Sequence, residues 1–208
     1  MIGRKLGRYH VLEKLGSGGM GEVYKARDDH LEREVAIKVL PSGSIPDEQA
    51  KKRFRKEALA LSRLSHPNIA TIFDFDSIED VDYIVMEYVP GETLEDKLSG
   101  GVMEKDDLIR FGVQMASALK TANEAGVVHR DLKPKNIMVM PGGRIKILDF
   151  GLAKLLRPAG ETMAGDSLTR TLSVMGTPAY MSPEQLGGEK VGPVSDLFSM
   201  GIVLYEAA

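Results

Sequence analysis

The chain has 208 residues and a formal net charge of −3, from 27 Lys and Arg against 30 Asp and Glu, which argues against a nucleic-acid binder built on a basic surface. With 43% apolar and 27% charged residues it has the make-up of a globular chain able to bury a core, and its length allows one domain or two small lobes. It contains no cysteine, which excludes disulfide frameworks, cysteine zinc sites and thiol catalysis, fits a reducing compartment, and leaves the chemistry to Asp, Lys, His and Ser/Thr.

Met1 to Leu12 carries basic residues but no continuous apolar stretch, and no run of about 18 apolar residues follows anywhere, so neither a secretory leader nor a membrane span is expected within the chain. Tyr9 to Leu15, Glu22 to Ala26 and Glu34 to Leu40 are short, rich in Val, Ile, Leu and Tyr, and separated by Gly or charged turn clusters, which predicts an antiparallel meander. Pro46 and Asp47 open a predicted helix over Glu48 to Leu64, with Phe54, Ala58, Leu61 and Leu64 on one face and a basic face around Lys51, Lys52, Arg53, Arg55 and Lys56 that reads as solvated surface. Two strand-like runs, Ile69 to Phe75 and Tyr83 to Tyr88, precede a break at Pro90-Gly91. Beyond it Leu108, Phe111, Met115, Leu119 and Ala122 form one stripe of a long helix that Gly126 can end. Val127 to Val139 and Arg144 to Leu148 are apolar runs around polar loops. Arg157 to Ser173 is aperiodic and Thr/Ser/Gly-rich, the pattern of a mobile segment, and Asp196 to Ala208 returns to an apolar helical pattern.

Three segments carry chemistry. Gly16-Ser17-Gly18-Gly19-Met20-Gly21 spaces glycines so that backbone N–H groups can approach phosphate oxygens without a Cβ in the way. Strands on both sides, rather than a following helix, make it either a lid over a nucleotide or a plain glycine-rich hairpin. Val35-Ala36-Ile37-Lys38 places one ammonium on an apolar strand, where burial requires an anionic partner, phosphate or carboxylate; Glu57 on the following helix is a candidate. The alternative is a solvated edge lysine and an ordinary surface acid. His129-Arg130-Asp131-Leu132-Lys133-Pro134-Lys135-Asn136 crowds acid, base and amide into one loop, and Asp149-Phe150-Gly151 follows. Asn and Asp oxygens suit Mg²⁺, a hard cation that takes few protein ligands and fills its shell from phosphates and water.

Taken in this order, together with Ser182-Pro183-Glu184, these segments resemble the eukaryotic-type Ser/Thr protein kinase family, with overall similarity to its bacterial members. The resemblance implies an α+β bilobal fold: residues 1–87 as a nucleotide-binding N-lobe with an antiparallel sheet and one helix, and 88–208 as part of a mainly helical C-lobe. It implies ATP-dependent phosphorylation of Ser/Thr hydroxyls on protein substrates in signalling, with Mg²⁺ (Mn²⁺ as an alternative). Asp131 would orient and deprotonate the acceptor hydroxyl, Lys133 would steady the transferred phosphoryl, and Asn136 and Asp149 would hold the metal. Lys38, fixed by Glu57, would grip the α and β phosphates under the Gly16 to Gly21 loop. Leu15, Val23, Ala36 and Met138 would sandwich the adenine, with Glu87 and Val89, just after Met86, offering backbone hydrogen bonds. Lys133 and the Gly176 to Tyr180 segment look like the Ser/Thr branch. Thr177 would belong to the substrate-docking segment, while Thr169 and Thr171, as autophosphorylation sites, would pair with Arg130.

Two features depart from the family pattern: Ser182 stands where Ala is usual before Pro-Glu, and the helices expected after the one beginning near Asp196, with an Arg partner for Glu184, are absent. The expectation is therefore an incomplete C-lobe, either cytoplasmic or the cytoplasmic domain of a longer membrane-anchored kinase, able to self-associate for trans-autophosphorylation. The alternatives are a non-catalytic or impaired nucleotide-binding fragment and a small-molecule phosphotransferase sharing the Asp131, Asn136 and Asp149 logic.

Overall fold

A computed structural model describes residues 1–18, 21–45, 48–79, 81–150 and 178–208, without the side chains of Arg53, Glu57 and Ala60. The reading of Pro46 and Asp47 as a helix start and of 157–173 as a mobile segment lies outside the described residues. The chain divides into two compact units, Met1–Arg63 with Thr71–Tyr88, and Leu64–Ala70 with Val89–Ala208.

Strands β1 (Lys5–Leu6), β2 (Tyr9–Gly18), β3 (Gly21–Asp28), β4 (Arg33–Val39), β5 (Ile72–Ile78) and β6 (Val81–Glu87) form the antiparallel sheet of the first unit, in the order β1-β2-β3-β4-β6-β5. Successive side chains alternate between its faces. One face gathers Tyr24, Ala26, Val35, Ile37, Tyr83 and Val85 with Leu6, Tyr9 and Val11 into a hydrophobic cluster. The register pairs Val23 with Lys38, Lys38 with Ile84 and Ala36 with Met86, so these five residues share the opposite face. Helix α1 (Glu48–Leu61) covers part of it: Phe54, Ala58 and Leu61 are buried, and the Phe54 ring meets Phe75, the register partner of Ile84, at 4.5 Å between centroids. Lys52, Arg55 and Lys56 stand exposed, while Lys51 is drawn to Asp82 at 3.8 Å. The β3–β4 joint is closed by Asp28, which is fully buried and accepts the N–H groups of His30 and Leu31.

The sequence stripe overran this helix. Leu64 is not on α1 but is buried in the second unit, and Ile69, expected to start a strand, instead forms a parallel bridge with Ile147 there. In that unit β7 (Glu92–Thr93), β8 (Ile137–Met140) and β9 (Arg144–Ile147) make a small antiparallel sheet. Helix α2 (Leu94–Ser99) is capped by Thr93 and Asp96, each accepting the other's backbone N–H. Helix α3 (Lys105–Glu124) buries Phe111, Met115, Leu119 and Ala122 as the stripe predicts, leaves Leu108 half-buried, and adds Ala118. Gly126, at φ +75°, takes the chain out of that helix in the left-handed conformation. Short α4 (Pro183–Leu186) leads to α5 (Pro193–Ala207), which begins three residues before Asp196 because Pro193 occupies the first turn. Helices α3 and α5 meet where Gly112 lies against Leu204. Among the described residues no helix is long and apolar enough to cross a membrane.

Candidate active site

In the first unit, the glycine-rich segment is the closing end of the β2–β3 hairpin, with Gly16 opposite Val23 and Gly18 opposite Gly21. Gly19 and Met20 fall outside the described residues. The remaining glycines differ in why they are glycine. Gly21 has φ +115°, and a Cβ there would collide with the carbonyl oxygen of Val39, so the fold itself demands it. Gly16 and Gly18 have open space around the Cβ position, which leaves close approach of a ligand to their backbone as a reason for them. Leu15 is exposed and Val23 half-buried.

Lys38 lies on β4, between β3 and β6, and is 4% exposed. It is therefore neither an edge residue nor a solvated one. Ala36 and Met86 share its face and are buried. The Glu57 side chain, its expected partner, lies outside the described residues. The N–H of Glu87 donates to the carbonyl of Thr71 at 2.8 Å, which assigns any adenine contact at Glu87 to its carbonyl.

The second unit holds the loop from His129 to Asn136. Lys133 Nζ donates to both carboxylate oxygens of Asp131, at 3.0 and 2.9 Å, and both side chains are 15% exposed. Asn136 Nδ2 donates to the Asp131 carbonyl at 2.8 Å and to Asp131 Oδ2 at 3.1 Å. With its nitrogen so engaged, Asn136 has its amide oxygen turned away from Asp131, the end a hard cation requires. One amide oxygen and one carboxylate, from Asp149, are a donor set that fits Mg²⁺ sharing its shell with phosphates; Leu148 N–H donates to the Asn136 carbonyl at 2.8 Å, tying the two segments together. Met138 is half-buried and Val89 buried in this unit.

His129 organises the loop and is fully buried. Its Nε2–H donates to the Leu148 carbonyl at 2.8 Å, which makes Nδ1 the acceptor for the Asp131 N–H at 3.2 Å. Its ring packs on that of Phe150 in a T-shaped arrangement, 4.7 Å between centroids. Arg130 and Asp149, which flank this arrangement, have φ of +71° and +58°, conformations costly for residues with a Cβ. From α5, the Asp196 carboxylate accepts the N–H groups of His129 at 2.8 Å and Arg130 at 2.9 Å, and is itself 1% exposed. Nothing in the sequence singled out Asp196 for this: its contacts lie 66 and 67 residues away in the chain.

The chain matches the protein kinase domain model over residues 9–208. It belongs to the protein kinase family. Among curated relatives it is 41% identical over 208 residues to the serine/threonine-protein kinase PrkC of Bacillus subtilis, covering 99% of this chain and 31% of that protein. It is 44% identical over 205 residues to the serine/threonine-protein kinase pkn3 of Myxococcus xanthus, covering 96% and 37%. The crystal structure of the Mycobacterium tuberculosis PknI kinase domain superposes with a TM-score of 0.76 at 25% identity, over 98% of this chain and 75% of that one. The chain thus spans about a third of the length of these curated relatives. The fold is the protein kinase fold, α+β as expected.

In this kinase domain the Pro178 to Leu186 segment is fastened to α5. Ser199 Oγ donates to the Tyr180 carbonyl at 2.7 Å, Tyr180 Oη to Glu206 at 2.6 Å, and Ser195 Oγ to Glu184 at 2.5 Å. Among the described residues the side-chain partner of Glu184 is therefore a serine hydroxyl. That bond first, then a hydrogen bond from its own N–H, holds the Glu184 carboxyl below the usual carboxylate range. Thr169, Thr171 and Thr177 lie outside the described residues.

Proposed function

We propose that the chain is the catalytic domain of a Ser/Thr protein kinase that transfers the γ-phosphoryl of ATP to Ser or Thr hydroxyls of protein substrates. The observation that carries this reading is the Asp131, Lys133 and Asn136 cluster: a carboxylate held in one orientation by three hydrogen bonds, beside a cation and an amide oxygen suited to metal. Phosphoryl transfer needs positioning and charge neutralisation more than covalent chemistry, and positioning alone is worth roughly 7–11 kcal/mol. Asp131 orients the acceptor hydroxyl and takes its proton, and Lys133 balances charge on the phosphoryl oxygens. Asn136 and Asp149 hold Mg²⁺, which supplies neutralisation of the phosphates when bound. Lys38, with Glu57, serves the α and β phosphates, and the backbone of Gly16 to Gly21 covers them. Leu15, Val23, Ala36 and Met138 flank the adenine, which bonds the Glu87 carbonyl and Val89 N–H after Met86.

In this reading, autophosphorylation at Thr169 or Thr171, in trans between two copies, raises activity by giving Arg130 a phosphate partner, and Thr177 helps to seat the peptide. The domain works in the cytoplasm, alone or as part of a longer membrane-anchored kinase. Calorimetry and mass spectrometry test the assignment together. Asp149→Asn weakens Mg²⁺-ATP binding, while Asp131→Asn leaves it intact but abolishes turnover and the phosphate on Thr169 and Thr171. Equal ATP affinities in the two variants, or full turnover by Asp131→Asn, contradicts these roles.

A further inference from the structure

The peptide group that joins Arg130 to Asp131 is held at both ends. Its N–H, on Asp131, donates to His129 Nδ1 at 3.2 Å; its carbonyl, on Arg130, accepts from Gln185 Nε2 at 2.8 Å. Gln185 comes from α4, 55 residues further along the chain, and is 4% exposed. Which end of its amide faces Arg130 is decided by its other partners. Gln185 Oε1 accepts the backbone N–H of Ser182 at 3.1 Å and the Ser182 hydroxyl at 3.2 Å, so the nitrogen is the end presented to a carbonyl. Ser182 is fully buried, and its hydroxyl, absent from the Ala usual at this position, thereby acts on the Gln185 amide.

This peptide is the one that most needs holding. Arg130 at φ +71° is in a conformation that a residue with a Cβ leaves when unrestrained, and rotation of its carbonyl swings the Asp131 carboxylate with it. Asp196 fixes the N–H of Arg130, on the far side of its Cα, and Asn136 fixes the carbonyl of Asp131. Neither of these two bonds holds the Arg130 carbonyl.

We propose that Gln185 is a positioning residue for phosphoryl transfer: oriented by Ser182, its amide locks the Arg130–Asp131 peptide and so sets the direction of the Asp131 carboxylate. The proposal rests on the role of Asp131 as the proton acceptor. It makes the geometry of that acceptor depend on the packing of the Pro178 to Leu186 segment. Gln185 reaches Asp131 through the backbone and bonds none of the residues assigned to ATP, so its removal acts on kcat and leaves KM for Mg²⁺-ATP in place.

The test uses the full chain with Gln185→Met, which keeps the length of the side chain and removes the donor, and Gln185→Glu, which keeps an acceptor for Ser182 and sets an oxygen against the Arg130 carbonyl. In both, kcat is expected to fall about ten-fold or more, the cost of one buried hydrogen bond, with KM for Mg²⁺-ATP within about two-fold of the parent. Ser182→Ala, which keeps the backbone N–H bond, falls less. Amide hydrogen exchange supplies a readout independent of catalysis: the Asp131 amide exchanges faster in Gln185→Met and Gln185→Glu, while amides of α3 keep the parent's rates. An active parent whose Gln185 variants retain kcat and Asp131 protection overturns the proposal, as does a loss of protection spread across α3 and α5. A parent without phosphotransfer overturns the proposed function instead, and the exchange data then still decide whether Gln185 holds the peptide.

Discussion

Truncating Asp196 to alanine removes the acceptor that the fold supplies to two consecutive buried N–H groups. The carboxylate is 1% exposed and sits 2.8 Å from His129 N and 2.9 Å from Arg130 N. In Asp196→Ala both donors stay buried without a partner. An orphaned buried group costs roughly 1–3 kcal/mol, more where the lost partner was charged, so the pair comes to about 2–6 kcal/mol. That is a large part of the roughly 5–15 kcal/mol that holds a typical domain together. The strain at Arg130, φ +71°, adds a second effect, because the bond from Asp196 is one of those keeping that residue in the left-handed region. Asp196→Asn separates the two effects: its one oxygen still accepts a single N–H, and its amide nitrogen faces the other, so the loss falls between parent and alanine. Urea denaturation followed by circular dichroism measures the stabilities, and turnover with Mg²⁺-ATP measures the displacement of Asp131. An Asp196→Ala protein within about 1 kcal/mol of the parent would refute the claim that these bonds carry the loop.

The hairpin glycines divide by the same kind of reasoning. Gly21→Ala, at φ +115° and against the Val39 carbonyl, lowers stability by about 2 kcal/mol or more, whereas Gly16→Ala and Gly18→Ala leave the unfolding midpoint unchanged or slightly raised and weaken ATP binding. Equal melting temperatures for all three variants contradict this. At Glu184 the pKa is depressed in the folded state, chiefly by the Ser195 hydroxyl, so its contribution to stability is present above the unfolded carboxyl pKa and is lost as pH falls through the folded one. Ser195→Ala should move the Glu184 titration midpoint upward in a carboxyl-carbon NMR titration; an unmoved midpoint removes Ser195 as the cause.

Much of the fold was legible in the sequence because strong periodic signals coincided with strong packing. The Phe111, Met115, Leu119 and Ala122 stripe is buried on α3, and the glycine-rich run lies on a hairpin. What escaped was short or long-range. Strand β1 has two residues and strand β7 two, below the length at which alternation is visible. Helix α2 went unread: it is six residues long and follows the break at Pro90-Gly91 closely, although Thr93 and Asp96 cap it in the structure. Leu64 shows the opposite error: it continues the apolar spacing of α1, yet is buried in a different unit, because spacing reports that a residue is buried and not against what. Asp196 and Gln185 carry no local signal of their contacts with the catalytic loop, although Ser182 and Gln185 have the spacing of a capping box. An acid in the first turn of a helix and a glutamine after Pro-Glu read as surface or cap residues until the fold brings the backbone of His129 and Arg130 against them.

Phosphotransfer to hydroxyls, directed by Asp131, is measured most directly by incubating the chain and its Asp131→Asn variant with Mg²⁺, γ-labelled ATP and a Ser/Thr-rich protein substrate, followed by phosphoamino-acid analysis. Label is expected on phosphoserine or phosphothreonine from the parent, and none above background from Asp131→Asn. Label transferred equally by both proteins, or by neither, contradicts the assignment of Asp131 as the proton acceptor of a Ser/Thr kinase.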